Sequence, residues 1–137
     1  MRSVIIAGSR TVSPTPAEID NALRELDPCG LLWWPDEWTE VICGMAKGAD
    51  YAGRAWALAR GKTVHEEPVT AEQWARYGRY MAPKLRNRAM AERADGAVLF
   101  WDGLSGGTAD MCIRMVARDK PCAVIPWAPV VLAGPSR

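Results

Sequence analysis

Three times in this chain a short apolar run breaks off into a loop of glycine and hydroxyl residues, and a segment with helical spacing follows. The runs are Ser3 to Ala7, Val41 to Cys43 and Gly96 to Trp101, and their loops are Gly8-Ser9-Arg10, Gly44 to Asp50 and Asp102 to Thr108. Apolar runs without polar alternation are the mark of strands covered on both faces. Two further strands are expected at Thr63 to His65 and Cys122 to Ile125. Helices are expected from Pro16 to Leu26, from the Gly44–Asp50 loop to Ala59, from about Ala82 to Ala94, and from about Thr108 to Arg118. Strands alternating with helices imply βαβ units, hence a doubly wound parallel sheet in three α/β/α layers.

A length of 137 residues fits one domain. Residues 1–126 are assigned to it, and 127–137, rich in Pro and Gly, to an irregular tail. The segment Gly30 to Glu37, with Trp33 and Trp34, reads as a loop, and the polar stretch after Pro68, holding Trp74, Tyr77 and Tyr80, reads as a connection long enough to form a lid.

Composition excludes more than it selects. Seventeen basic against sixteen acidic residues leave a net charge of +1, so no global field draws the chain to nucleic acid or an anionic membrane, and any phosphate binding must be local. No apolar stretch is long enough to cross a bilayer and no signal-peptide pattern opens the chain, so a cytoplasmic location is expected. Cys29, Cys43, Cys112 and Cys122 lack the close spacing of a zinc site or redox pair and are read as free thiols, with no metal expected. His65, the one histidine, is read as structural.

In an open parallel sheet the three loops share one edge, where ligands sit at a topological switch point. Glycine lets backbone N–H groups approach an anion, and the following helix points its unpaired amides and positive dipole end there. One such loop would make only a turn; three together point to phosphate. The P-loop signature is absent, since Lys47 precedes Gly48, and no third glycine completes a dinucleotide fingerprint. Of Arg86 and Arg88, two apart on a helix, only one can face the strand ends, where Arg86 would clamp phosphate or carboxylate. Asp50 reads as a helix N-terminal charge that can also bond a ribose hydroxyl.

Taken in order, Gly8-Ser9-Arg10, Gly44-Met45-Ala46-Lys47-Gly48-Ala49-Asp50, Arg86-Asn87-Arg88-Ala89-Met90, and Phe100-Trp101-Asp102-Gly103 with Ser105-Gly106-Gly107-Thr108 resemble the YspA/cpYpsA-like branch of the SLOG (Smf/DprA-LOG) superfamily, a branch found in bacteria and phages. The resemblance runs from Val4 to about Ile125. It implies a Rossmann-like fold that holds a nucleotide or nucleotide-derived ligand at Gly8, Ser9, Arg10, Gly44, Lys47, Gly48, Ala49, Asp50, Arg86, Asn87, Asp102, Ser105, Gly106, Gly107 and Thr108. No further cofactor is implied, and homo-oligomers are common among such relatives.

The Lonely Guy phosphoribohydrolases of that superfamily carry Pro-Gly-Gly-X-Gly-Thr-X-X-Glu at the fourth strand's loop, where the glutamate assists N-glycosidic cleavage. Here the third residue after Thr108 is Met111, so a cleavage mechanism loses its main polar group. The expectation is therefore a sensor, sequestering or carrier protein. A nucleotide N-glycosidase stands second, with Arg86, Asp102 or Asp50 as candidate catalytic groups. Single-stranded nucleic-acid binding stands third: near-neutral charge argues against it, while Arg76, Arg79, Lys84, Arg86 and Arg88 with Trp33, Trp34, Trp74 and Tyr77 argue for it.

Overall fold

A computed structural model of the protein describes residues 2–26 and 35–129. Its elements run β1 (Ser3–Gly8), α1 (Pro16–Leu26), a short 3-10 turn (Pro35–Glu37), β2 (Glu40–Cys43), α2 (Ala49–Ala59), β3 (Thr63–Glu66), α3 (Ala71–Arg93), β4 (Gly96–Trp101), α4 (Gly106–Ala117) and β5 (Cys122–Pro126). The five strands pair in the order β3-β2-β1-β4-β5, every pair parallel. This is the expected doubly wound, Rossmann-like arrangement. Its strand order reverses between β1 and β4, which opens a crevice beyond their carboxyl ends.

Side-chain alternation along the strands builds two cores. Val4 and Ile6 of β1, Val41 of β2 and Val98 and Phe100 of β4 face α1 and α2, where Ile19, Leu23, Ala52 and Trp56 cover them. Ile5, Ala7, Ile42, Ala97 and Leu99 face the other way, onto Met90 and Ala91 of α3 and Met111 and Met115 of α4. Burial on both faces explains why these strands read as unbroken apolar runs. Trp38 and Trp56 meet edge to face with centroids 5.7 Å apart, and the Trp56 indole N–H donates to Asp20 on α1 at 2.8 Å. Helix α1 opens on a reciprocal cap: the Thr15 hydroxyl accepts from the Glu18 amide, and the Glu18 carboxylate from the Thr15 amide.

Two sequence expectations are corrected. The stretch after Pro68, read as a connection, is helical from Ala71 onward and continues into the expected third helix. A capping box starts it, Thr70 with Gln73, and Gly78 interrupts it with φ 77 and ψ 177, a conformation open essentially to glycine. Helix α4 begins at Gly106, ahead of Thr108, because the Ser105 hydroxyl caps it by accepting from the Thr108 amide.

Cys43 is buried, and Cys112 and Cys122 are partly buried against the second core. Cys29, the segment Gly30 to Trp34 and the tail beyond Pro129, each the subject of a sequence expectation, lie outside the described residues. Among the described residues no helix is long and apolar enough to cross a membrane.

Candidate functional site

The three loops are bound to one another at the sheet edge. Gly8 has φ 150, and a Cβ there would run into the Phe100 carbonyl of β4, so the ends of β1 and β4 approach as only glycine permits. The next amide, Ser9, donates to that same Phe100 carbonyl at 2.9 Å. The fully buried Ser9 hydroxyl accepts from the Asp102 amide at 3.1 Å and lies 3.4 Å from the Thr108 hydroxyl. The second loop crosses the first at Gly48, where a Cβ would stand 2.5 Å from the Arg10 carbonyl oxygen, and the Ala49 amide donates to the Ser9 carbonyl at 3.2 Å. Gly8, Ser9, Gly48 and Ala49 thus hold the loops together by their backbones and, for Ser9, by its hydroxyl.

Asp102 organises the third loop. Its carboxylate accepts from the Thr11 hydroxyl at 2.6 Å and from the Leu104 and Ser105 amides at 2.8 and 2.9 Å. These bonds, the Thr11 hydroxyl foremost, hold its pKa down to about 2. It sets the approach to α4 and is not among the residues lining the cavity.

Beyond the β1 and β4 ends lies a cavity of about 250 Å³. Gly8, Arg10, Asp50, Arg86, Asn87, Ser105, Gly107 and Thr108 line it, all of them singled out from the sequence. Ala7, Ala46, Pro83, Met90 and Leu99 complete its wall without having been named as site residues, being apolar and carrying no chemical signal of their own, and Met111, noted for the glutamate it replaces, lines it too. Gly106 precedes Gly107 in the first turn of α4, and Lys47 is exposed on the second loop. Both lie beside the cavity rather than in its wall.

Arg86 resolves the choice between the two arginines. It lines the cavity and donates to the Gly44 carbonyl, whereas Arg88 points outward to Glu92 at 3.1 Å. Burial lowers the Arg86 pKa, and the neighbouring Arg10 guanidinium pushes the same way while Asp50 opposes. Asn87, 8% exposed, ties α3 to α4: its amide N–H groups donate to the Gly107 carbonyl at 3.3 Å and Asp110 at 3.1 Å, and its side-chain carbonyl accepts from Arg86 Nε at 3.1 Å. Asp110 is also paired with Arg114 at 2.9 Å.

Asp50 is 5% exposed, in the first turn of α2, with the second loop curled around it. The Ala46 amide donates to its carboxylate at 3.2 Å, and Met45 in that loop takes φ 62, which is uncommon outside glycine. Burial raises the Asp50 pKa to about 6, against the pull of Arg86 and of the Ala46 and Gly8 amides. It is the one carboxylate in the cavity wall among the described residues, and Met111 presents an apolar side chain to the same space.

Gly106 and Gly107 behave unlike Gly8 and Gly48. Neither has a positive φ, and a Cβ on Gly106 would meet nothing within 4 Å and on Gly107 only the Ser105 hydroxyl at 4.0 Å. Among the described residues nothing in the packing requires glycine there, and the first amides of α4 are left open to approach. Two arginines, a helix N-terminus and a buried carboxyl therefore meet at one small cavity of mixed polar and apolar lining, an arrangement suited to an anion bearing hydroxyl groups.

No family model matches the chain, and no curated protein matches it. Among solved structures it resembles the X-ray structure of DNA processing protein A (DprA) from Streptococcus pneumoniae, with a TM-score of 0.66 and 19% identity over 93% of this chain and 50% of that one. The likeness is one of fold, and the chain spans about half the length of that protein.

Proposed function

We propose that the protein binds a nucleotide or nucleotide-derived ligand at the β1/β4 crevice, as a sensor, sequestering or carrier protein of the SLOG superfamily. The observation that carries this reading is the convergence of Arg10, Arg86 and the open first turn of α4 on one cavity. A phosphate monoester, with a charge of about −1.5 to −2 at neutral pH, complements two guanidiniums and a helix dipole end. Asp50, an acceptor once ionised, suits a ribose hydroxyl. The DprA-like fold and the sequence resemblance support the superfamily placement; the order of the four motifs supports the YspA/cpYpsA-like branch.

The enzymatic alternative, hydrolysis of an N-glycosidic bond, rests on Asp50. A carboxyl with a pKa of about 6 inside a cavity is poised for proton transfer near neutral pH. Met111, an apolar side chain where the Lonely Guy pattern has glutamate, places this reading second.

Native mass spectrometry with nucleoside monophosphates, dinucleotides and cyclic nucleotides, with released base assayed in the same tubes, tests both. Retained ligand without released base is expected. Base release that Asp50→Asn abolishes would establish the hydrolase instead, and no retained ligand across the panel would overturn the proposal.

A further inference from the structure

We infer that the outer part of α3 is the base-recognition platform of this site, with Trp74, Tyr77 and Tyr80 stacking on the aromatic ring of a nucleotide whose phosphate occupies the cavity; this rests on the nucleotide-binding reading above. Among the described residues the cavity wall contains no aromatic side chain, and its volume of about 250 Å³ is below the ~300–1,000 Å³ usual for pockets that enclose a whole small ligand. A sugar phosphate fits such a space, which leaves the base outside its mouth.

Topology puts α3's first turns at that mouth. Strand β3 ends at the carboxyl edge of the sheet, and α3 ends at Arg93, just before β4 starts at the opposite edge. The chain between Glu66 and the body of α3 must therefore cross the edge where the three loops lie. Exposure along the helix follows the same course: Met90, Asn87 and Ala82 are buried, Arg86 and Pro83 are half-buried in the cavity wall, and the residues from Met81 back to Trp74 are exposed. Exposure thus grows from the cavity wall toward the aromatic end, which lies beyond the kink at Gly78.

That end is built to receive a flat ring. Trp74, Tyr77 and Tyr80 are 41%, 42% and 77% exposed, among residues that bury nothing in either core. Arg76 already lies over the Tyr77 ring, 5.3 Å from its centroid. The capping box of Thr70 and Gln73 starts this arm, and Gly78, where a Cβ would meet nothing within 4 Å among the described residues, kinks it. Exposed aromatics interleaved with Arg76, Arg79 and Lys84 match the chemistry of an anionic ligand with a π face.

The test compares ribose 5-phosphate with the four common ribonucleoside 5′-monophosphates, titrated into the wild-type chain and a Trp74→Ala/Tyr77→Ala/Tyr80→Ala variant, with sedimentation of both proteins. The best monophosphate is expected to bind the wild type about ten- to a hundredfold tighter than ribose 5-phosphate. The triple variant should lose that margin and keep its affinity for ribose 5-phosphate. A margin unchanged in the variant, or no margin in the wild type, overturns the inference and leaves the phosphate site standing. A variant that sediments as a smaller species with its margin intact assigns the arm to contact between copies and likewise overturns it. If the wild type binds neither ribose 5-phosphate nor any monophosphate, the underlying site reading fails.

Discussion

Asp50 and Arg86 flank a single Cα from opposite elements: a Cβ built on Gly44 would stand 2.8 Å from both Asp50 Oδ2 and Arg86 Nη1. The carboxyl comes from α2 and the guanidinium from α3, and the carboxyl end of β2 lies between them.

Gly44→Ala should therefore drive the two groups apart. The loss in stability is expected to be about 1–3 kcal/mol, the usual range for overpacking a filled site. Phosphate-ligand affinity should fall further than the small change in volume suggests, because Arg86 would lose its anchor on the Gly44 carbonyl. Denaturant unfolding and a ligand titration of the same variant check both parts.

Asp50 gives stability a definite pH dependence. Its folded pKa of about 6 lies above the ordinary 3.8, so between those values the folded chain holds a proton that the unfolded chain has released. This contribution is fully present below about pH 4 and is lost as pH rises through 6, on the order of 3 kcal/mol in all. Asp20, Glu40, Asp95 and Asp102, all lowered, act in the opposite sense at lower pH. The difference in unfolding free energy between wild type and Asp50→Asn isolates the effect: the variant should gain on the wild type from pH 4 to 7.

Glycines of the two kinds should respond oppositely. Gly8→Ala forces a Cβ into the Phe100 carbonyl at the β1/β4 junction, and the chain is expected to lose several kcal/mol or fail to fold. Gly107→Ala meets open space in a helical first turn, so stability should hold or rise by up to about 1 kcal/mol while ligand affinity drops. Thermal melts and titrations of the pair distinguish backbone glycine from ligand-facing glycine.

The strands were legible because burial on both faces leaves unbroken apolar runs, and the loops because glycine and hydroxyl residues follow each run. Helix Ala71–Arg93 was half legible. Its inner part has a core face at Met90 and Ala91, whereas residues 71–81 join neither core, so no apolar period betrays them. The Thr70/Gln73 cap was the available signal, and Gly78 and Pro83 obscured the continuity that followed. Spacing predicted that one of Arg86 and Arg88 faces inward; only packing shows which. The burial of Asp50 arises from loop residues that curl around it, a tertiary effect with no local pattern, and the bonds of Asp102, a candidate ligand group, to Thr11, Leu104 and Ser105 likewise have no sequence pattern.

Asp102→Ala should accordingly act on loop order. The amides of Leu104 and Ser105 lose their acceptor and are expected to exchange hydrogen faster, with ligand affinity reduced through the misplaced α4 entrance. Hydrogen exchange resolved to single residues checks this, and unchanged protection at both amides would contradict it.

Whether the crevice is a phosphate site is decided by calorimetric titration of nucleoside 5′-monophosphates and their unphosphorylated nucleosides into wild type and Arg86→Ala at pH 7.5. Binding is expected to require the phosphate and to weaken at least tenfold in the variant. Equal binding of nucleoside and nucleotide, or a phosphate-dependent affinity indifferent to Arg86, would contradict it.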